Sequence, residues 1–197
     1  MTSNRAEAPA AADTQWPRFE VFQQSREGAP FRNVGSVHAP DAELAMQNAR
    51  DVFVRRPQTV RLWVVPATAV FTRTAQELEA DPAWREKMVT EDVPLKTYCV
   101  FQKATQRRSM TFVTHSGDVV AATPVQALEK AITQYGTEAT VVWWIVPAGA
   151  ITRSSDEDVE SMFGPAHDKT YRMPGEYRTR TLMREATARE AGEAGSE

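Results

Sequence analysis

"LWVVPATAVFTR" spans Leu62 to Arg73, and "WWIVPAGAITR" spans Trp143 to Arg153. One chain spells nearly the same string twice, and an echo at a fixed spacing is the signature of a repeated structural unit. Working outward from the two VPA segments extends the match. Phe19-Glu-Val-Phe-Gln23 pairs with Tyr98-Cys-Val-Phe-Gln102. Ala45-Met46 and Ala49 pair with Ala127-Leu128 and Ala131, and Val60, Leu62, Trp63 and Val64 with Val141, Trp143, Trp144 and Ile145. The offset drifts from 79 to 82 and back to 80, as when insertions fall in turns. An ordered series of this kind is a tandem duplication.

Each copy reads as strand, strand, helix, strand, helix. FEVFQQ is aromatic and β-branched, SREGAPFRN supplies turn residues, and VGSVH completes a hairpin. Asp41 is placed to cap a helix carrying Leu44, Ala45, Val52 and Phe53 at helical spacing. Thr123 is the matching cap, with Pro124 in the first turn, where a missing N–H does no harm. Pro57 and Gly136 end these helices. Thr74-Ala-Gln-Glu77 and Ser154-Ser-Asp-Glu157 both fit the capping-box pattern, so a second helix is expected after each third strand.

The third strand decides the fold. Successive side chains in a strand point to opposite faces. Val60, Leu62 and Val64 therefore oppose Trp63 and Val65, and Val141, Trp143 and Ile145 oppose Val142, Trp144 and Val146. Both faces are apolar. Two short helices cover one face of a three-stranded sheet, and leaving the other wet would forgo roughly 1.5–3 kcal/mol per large side chain. The sister copy is the economical cover. The fold class expected is α+β, with two tandem β-β-α-β-α repeats whose small antiparallel sheets pack, face to face or edge to edge, into one pseudo-symmetric unit. Phe22, Trp63, Phe101 and Trp144 are the candidate inter-repeat packing residues. The boundaries expected are a disordered tail at 1–15, repeat 1 at 16–91, a linker at 92–97, repeat 2 with its carboxyl-terminal extension at 98–183, and a second tail at 184–197. Two independent beads joined around Asp92 to Leu95 are the alternative arrangement.

Hydrophobic content of 42% and charged content of 25% are those of a soluble globular protein. A net charge of −3 offers no basic field for nucleic acid or an anionic membrane. The opening MTSNRAEAPAAADTQ carries no apolar run, which points to a cytoplasmic chain. A lone cysteine, Cys99, excludes an intrachain disulfide and a cysteine zinc cage. His38, His115 and His167 stand in no metal-ligand spacing, and no phosphate-binding or nucleophile motif is present. The site reading is accordingly no catalytic residue, no cofactor-binding residue and no metal ligand. His38 with Asp41 is a possible acid–base pair, although a helix cap beside a polar strand end explains both residues more simply. Cys99 is read as a passenger. Arg55-Arg56 closes a helix and Arg107-Arg108 sits in a hairpin turn; both read as surface charge, with an acidic partner patch second.

"WPRFEVFQQSREGAPFRNVGSVHAPDAELAMQNARDVFVRR", Trp16 to Arg56, followed by "LWVVPA", resembles the PaaB family, the B component of the phenylacetyl-CoA epoxidase complex of phenylacetate degradation. "FGPAHDKTYRMPGEYRT", Phe163 to Thr179, resembles the carboxyl end of single-copy members. The resemblance implies a non-catalytic member of a multicomponent oxygenase that epoxidises an aromatic acyl-CoA. It places di-iron chemistry on another subunit and electron supply on a flavin and iron–sulfur reductase. It also implies that this chain bridges the di-iron oxygenase subunit and its helical companion. Candidate partner contacts are Trp16, Arg55, Arg56, Tyr171, Arg172 and Tyr177, since aromatics and arginine anchor interfaces; the tail's aromatics could instead pack on their own sheet. The duplication departs from the family pattern, and one chain then supplies both halves of a dimer, a pseudo-dimer open to further homo-oligomerisation. The alternative is a cofactor-free α+β enzyme or acyl-CoA-binding domain using the cleft between repeats.

Overall fold

The computed structural model describes residues 15–54, 59–85, 93–105, 112–157, 159–166, 181 and 183–185. The first repeat contributes β1 (Arg18–Gln24), β2 (Arg32–His38), α1 (Ala42–Phe53), β3 (Arg61–Pro66), β4 (Phe71–Thr74) and α2 (Ala75–Ala80). The second contributes β5 (Lys96–Lys103), β6 (Thr114–Ala121), α3 (Pro124–Tyr135), β7 (Val142–Pro147), β8 (Thr152–Arg153) and α4 (Val159–Phe163). Short 3-10 turns follow β3, α2, β7 and α4. The mixture of helices with antiparallel strands is the expected α+β class. β5 begins at Lys96, within the stretch read as a linker.

The two small sheets merge edge to edge. Their strands form one eight-stranded sheet in the order β4-β7-β5-β6-β2-β1-β3-β8. The halves join where Arg32 of β2 pairs with Thr114 of β6. Asn33 N–H donates to Val113 O at 2.9 Å and His115 N–H donates to Phe31 O at 2.8 Å across the same seam. An unpaired strand edge on each small sheet is thereby removed.

The structure departs from the expected repeat after the third strands. Each copy has a fourth strand there, and that strand belongs to the other copy's half of the sheet. β4 pairs with β7, setting Thr72 opposite Trp144 and Arg73 opposite Trp143. β8 pairs with β3, setting Arg153 opposite Trp63 and Thr152 opposite Val64. The helices follow their strands. Leu78 of α2 and Trp84 pack on the core of repeat 2, whereas Val159, Met162 and Phe163 of α4 pack on that of repeat 1. Each copy's second helix thus covers its sister's sheet, not its own. The cause lies in Pro66 and Pro147, which end the strands and, with a one-turn 3-10 segment, throw the chain across to the neighbouring edge.

Local signals explain the remaining elements. Asp41 Oδ1 accepts from Leu44 N–H at 2.8 Å and Thr123 Oγ1 accepts from Gln126 N–H at 3.2 Å, so both long helices are capped at the expected residues. Their buried stripes match: Ala45, Met46 and Ala49 in α1, and Ala127, Leu128 and Ala131 in α3. Small residues there let each helix approach the sheet closely. Val52 does not join its stripe and is exposed.

The Thr74 capping box forms, with Glu77 N–H donating to Thr74 Oγ1 and Thr74 N–H donating to Glu77 Oε2. The Ser154 box does not. Beyond the 3-10 turns Ile151 takes the place of Val70, so Ser154 falls opposite Leu62 as Arg73 falls opposite Trp143, one residue short of the cap position. Ser154 spends its groups on the sheet instead: its N–H donates to Leu62 O at 2.9 Å and its Oγ accepts from Leu62 N–H at 3.1 Å.

Three apolar clusters result. α1 covers one, from Phe19, Val21, Leu62 and Val64, and α3 covers another, from Tyr98, Val100, Trp143 and Ile145. The third lies on the sheet's other face and draws on both repeats: Phe22, Phe31 and Val65 with Phe101, Val113, Val146 and Ile151, flanked by Trp63 and Trp144. The third strands are thus covered on both faces. At the centre the rings of Phe22 and Phe101 lie 4.3 Å apart, and both are fully buried. Phe22→Ala or Phe101→Ala is expected to cost about 3–5 kcal/mol. Chemical denaturation of both single variants and the double variant should return a coupling of about 0.5–1.5 kcal/mol; additive losses would mean the rings do not sense one another.

Candidate partner surface and a polar cluster in the shared core

The residues nominated for packing meet in the shared cluster. Phe22 also meets Trp144 edge-on at 6.2 Å, and Trp63 stacks on Phe31 at 3.6 Å. Both tryptophans keep part of their surface in solvent. Of the residues nominated for partner contact, Trp16 is 58% exposed immediately before β1. Its carbonyl accepts a hydrogen bond from His38 Nδ1 at 2.7 Å, which fixes the direction in which the chain enters the sheet. Leu95 stands three residues before Tyr98, as Trp16 stands three before Phe19, and it is also exposed. Val120, which pairs with Thr97 near Leu95, is exposed as well. Arg55, Arg56, Tyr171, Arg172 and Tyr177 lie outside the described residues, as do Arg107 and Arg108.

His38 and Asp41 are not joined as an acid–base pair. His38 serves the Trp16 carbonyl and Asp41 caps α1.

The sheet brings together polar residues that the chain keeps apart. β1 against β2 shifts register between Val21 and Phe22, and β5 against β6 shifts between Val100 and Phe101, so each hairpin carries a bulge at the same place. Gly35 and Gly117 occupy these bulges at φ of 134° and 152°, a region side chains disfavour. A helix-end aromatic closes over each one. A Cβ on Gly35 would meet the Phe53 ring at 3.0 Å, and one on Gly117 would overlap the Tyr135 hydroxyl, which donates to Asp118 O at 3.1 Å.

Each bulge sets three register-equivalent residues on the shared face. In the first repeat Glu20 pairs with Ser36 and Phe22 with Asn33; in the second, Cys99 pairs with Asp118 and Phe101 with His115. The two sets differ chemically. Asn33 Nδ2 donates to Glu20 Oε2 at 3.2 Å, and Arg18 Nε lies 3.3 Å from Glu20 Oε1. Burial nonetheless outweighs both partners and raises the Glu20 carboxyl above its usual range.

In the second set His115 Nε2 lies 2.9 Å from Asp118 Oδ1, and the Cys99 sulfur lies within 4.8 Å of both groups. Burial, reinforced by the Asp118 charge, pushes that thiol up to about 12, which leaves it protonated and unreactive as a nucleophile at neutral pH. The His115 ring meets Trp63 of the other repeat edge-on at 5.7 Å and Phe101 at 5.1 Å. Among the described residues every buried side-chain nitrogen and oxygen has a hydrogen-bond partner. Sequence spacing could not reveal Cys99, His115 and Asp118 as a group, because a strand pairing across the hairpin creates it. The alignment of Cys99 with Glu20 was the one available signal that the position is polar in both copies.

The fold defines a chain of two interlocked α+β repeats, and comparison with known proteins supplies the family. The model of the phenylacetic acid degradation B (PaaB) family matches residues 15–89 and again 95–183, and the chain belongs to that family. It is 38% identical over 66 residues to the B component of the 1,2-phenylacetyl-CoA epoxidase of Escherichia coli (strain K12), a match covering 34% of this chain and 70% of that protein. No solved structure matches the chain. Among the described residues no helix is long and apolar enough to cross a membrane.

The raised Glu20 carboxyl has a consequence for stability. Such a group holds its proton more tightly folded than unfolded, so its favourable contribution is present below the reference value of 4.5 and drains away as pH rises from there toward the folded value. Glu20→Gln keeps an acceptor for Asn33 and removes the buried charge. Thermal melts should show the variant about 2–4 °C more stable than the parent at pH 7, the shift that ~1 kcal/mol makes at this size. The gap should close by pH 4; a variant less stable at pH 7 would show that the Arg18 ion pair outweighs the burial cost.

Proposed function

We propose that this chain is a non-catalytic bridging subunit of a phenylacetyl-CoA epoxidase-like oxygenase complex in phenylacetate degradation. In this reading one polypeptide supplies both halves of what single-copy members assemble from two chains. The observation that carries it is the reciprocal crossing of β4–α2 and β8–α4 between the repeats. Each repeat matches one family unit, and each completes its core only with the sister's arm. The partners proposed are the di-iron oxygenase subunit and its helical companion, met in the cytoplasm. Trp16 and Leu95 offer them two apolar anchors at corresponding places, one per repeat. The repeat boundaries proposed are 16–91 and, moved back to the start of β5, 96–183.

Enzymatic use of the space between the repeats finds less support. The shared face is filled by Phe22, Phe101, Val65 and Val146, and His38 and Asp41 are committed to separate backbone contacts.

Co-expression with the di-iron oxygenase subunit and the helical companion of a phenylacetyl-CoA epoxidase complex is the test. The chain should co-purify with them, and Trp16→Glu combined with Leu95→Glu should weaken recovery at least tenfold while circular dichroism stays unchanged. An isolated chain that turns over an acyl-CoA and is not retained by those subunits would overturn the reading.

A further inference from the structure

We propose that Cys99, His115 and Asp118 form a binding site for a borderline-soft divalent metal ion, zinc in the first instance, on the shared face of the sheet. Their ligand atoms, one sulfur, one imidazole nitrogen and one carboxylate oxygen, all lie within 4.8 Å of one another. Three mixed S, N and O ligands with a water in the fourth position make a familiar tetrahedral zinc arrangement. With Zn–S near 2.3 Å and Zn–N or Zn–O near 2.0 Å, tetrahedral angles call for ligand separations of about 3.3–3.5 Å. The 2.9 Å between His115 Nε2 and Asp118 Oδ1 needs to widen by only a few tenths of an ångström.

Three features favour a built site over a chance meeting of side chains. All three residues project from one paired hairpin, so their backbones are fixed by the β5–β6 ladder and by the Gly117 bulge under Tyr135. The His115 ring is held between Trp63 and Phe101, which sets its orientation before any ion arrives. Access exists as well. Cys99 is buried, whereas the Asp118 side chain is 51% exposed, and His115 borders a groove of about 580 Å³ shared with Arg32, Lys103, Phe112 and Tyr135.

Charge balances too. A thiolate, a carboxylate and a neutral imidazole together cancel a divalent ion, which suits a site half sunk in an apolar core. The ion would displace the thiol proton, which leaves to solvent, and would take His115 through Nε2 with the neutral ring's proton on Nδ1. Arg153, whose guanidinium lies 5.1 Å from the centre of the Trp63 ring, is the neighbouring cation. The corresponding trio of the first repeat, Glu20, Asn33 and Ser36, lacks both sulfur and imidazole. One ion per chain is therefore expected.

The test uses the full chain, freed of metal by chelation, then titrated with cobalt(II) and followed by absorbance, with zinc displacing the cobalt. One equivalent should bind with a sulfur-to-cobalt charge-transfer band and tetrahedral d–d bands, and zinc should abolish both. Cys99→Ala should remove the charge-transfer band. Asp118→Asn, at a position 51% exposed, should lower affinity by at least the roughly 100-fold that loss of even an outer partner can cost. Cobalt that binds without the charge-transfer band, or binds equally to the Asp118→Asn chain, would overturn the proposal, as would absence of any saturable binding to the intact chain.

Discussion

The constraint on which the structure depends is the crossing of two short arms. After Pro66 and after Pro147 the chain leaves its own repeat, adds a strand to the sister's third strand, and lays a helix on the sister's core. Neither repeat can then fold to completion by itself. The arms also secure the shared face, since the repeats that exchange them also bury Phe22 against Phe101. Fully burying side chains of this size contributes roughly 1.5–3 kcal/mol each, and several are fully buried at this face. A single-copy relative would have to find these contacts in a second chain. Tandem duplication makes the encounter intramolecular, at the high effective concentration that a tether confers.

Symmetry of framework does not enforce symmetry of chemistry. Both hairpins carry the same bulge, the same glycine and a helix-end aromatic above it, while the three polar positions they create have diverged. Glu20 and Asn33 satisfy one another in one repeat, and a sulfur, an imidazole and a carboxylate meet in the other. The framework positions are costly to alter because both glycines hold a positive φ, and a side chain at Gly117 also collides with the Tyr135 ring. The polar positions carry no such restriction on their backbone, and their side chains differ between the copies.

Periodicity made the repeat, the α+β class, the two apolar faces of β3 and β7 and the caps at Asp41, Thr74 and Thr123 legible in the sequence. What it missed shares one cause, namely geometry set between segments. Strand alternation says which residues share a face, but it does not say to which sheet a four-residue strand such as β4 attaches. The "TR" common to both VPA segments suggested a second capping box at Ser154, yet the segments differ by one residue after the 3-10 turn, and that slip puts Ser154 in the ladder. Cys99 and His115 stand far apart in the chain, and only the β5–β6 register brings them together. Val52 obeys helical spacing and still faces solvent, since α1 meets the sheet through its alanines.

The most direct measurement of the central claim is native-state amide hydrogen exchange in increasing denaturant, followed separately at β1 of one repeat and β5 of the other. Interlocked repeats should open as one cooperative unit, so that the slowest amides of both strands converge on a single free energy and a single denaturant dependence. Exchange that resolves into two independent openings, one per repeat, would contradict the account.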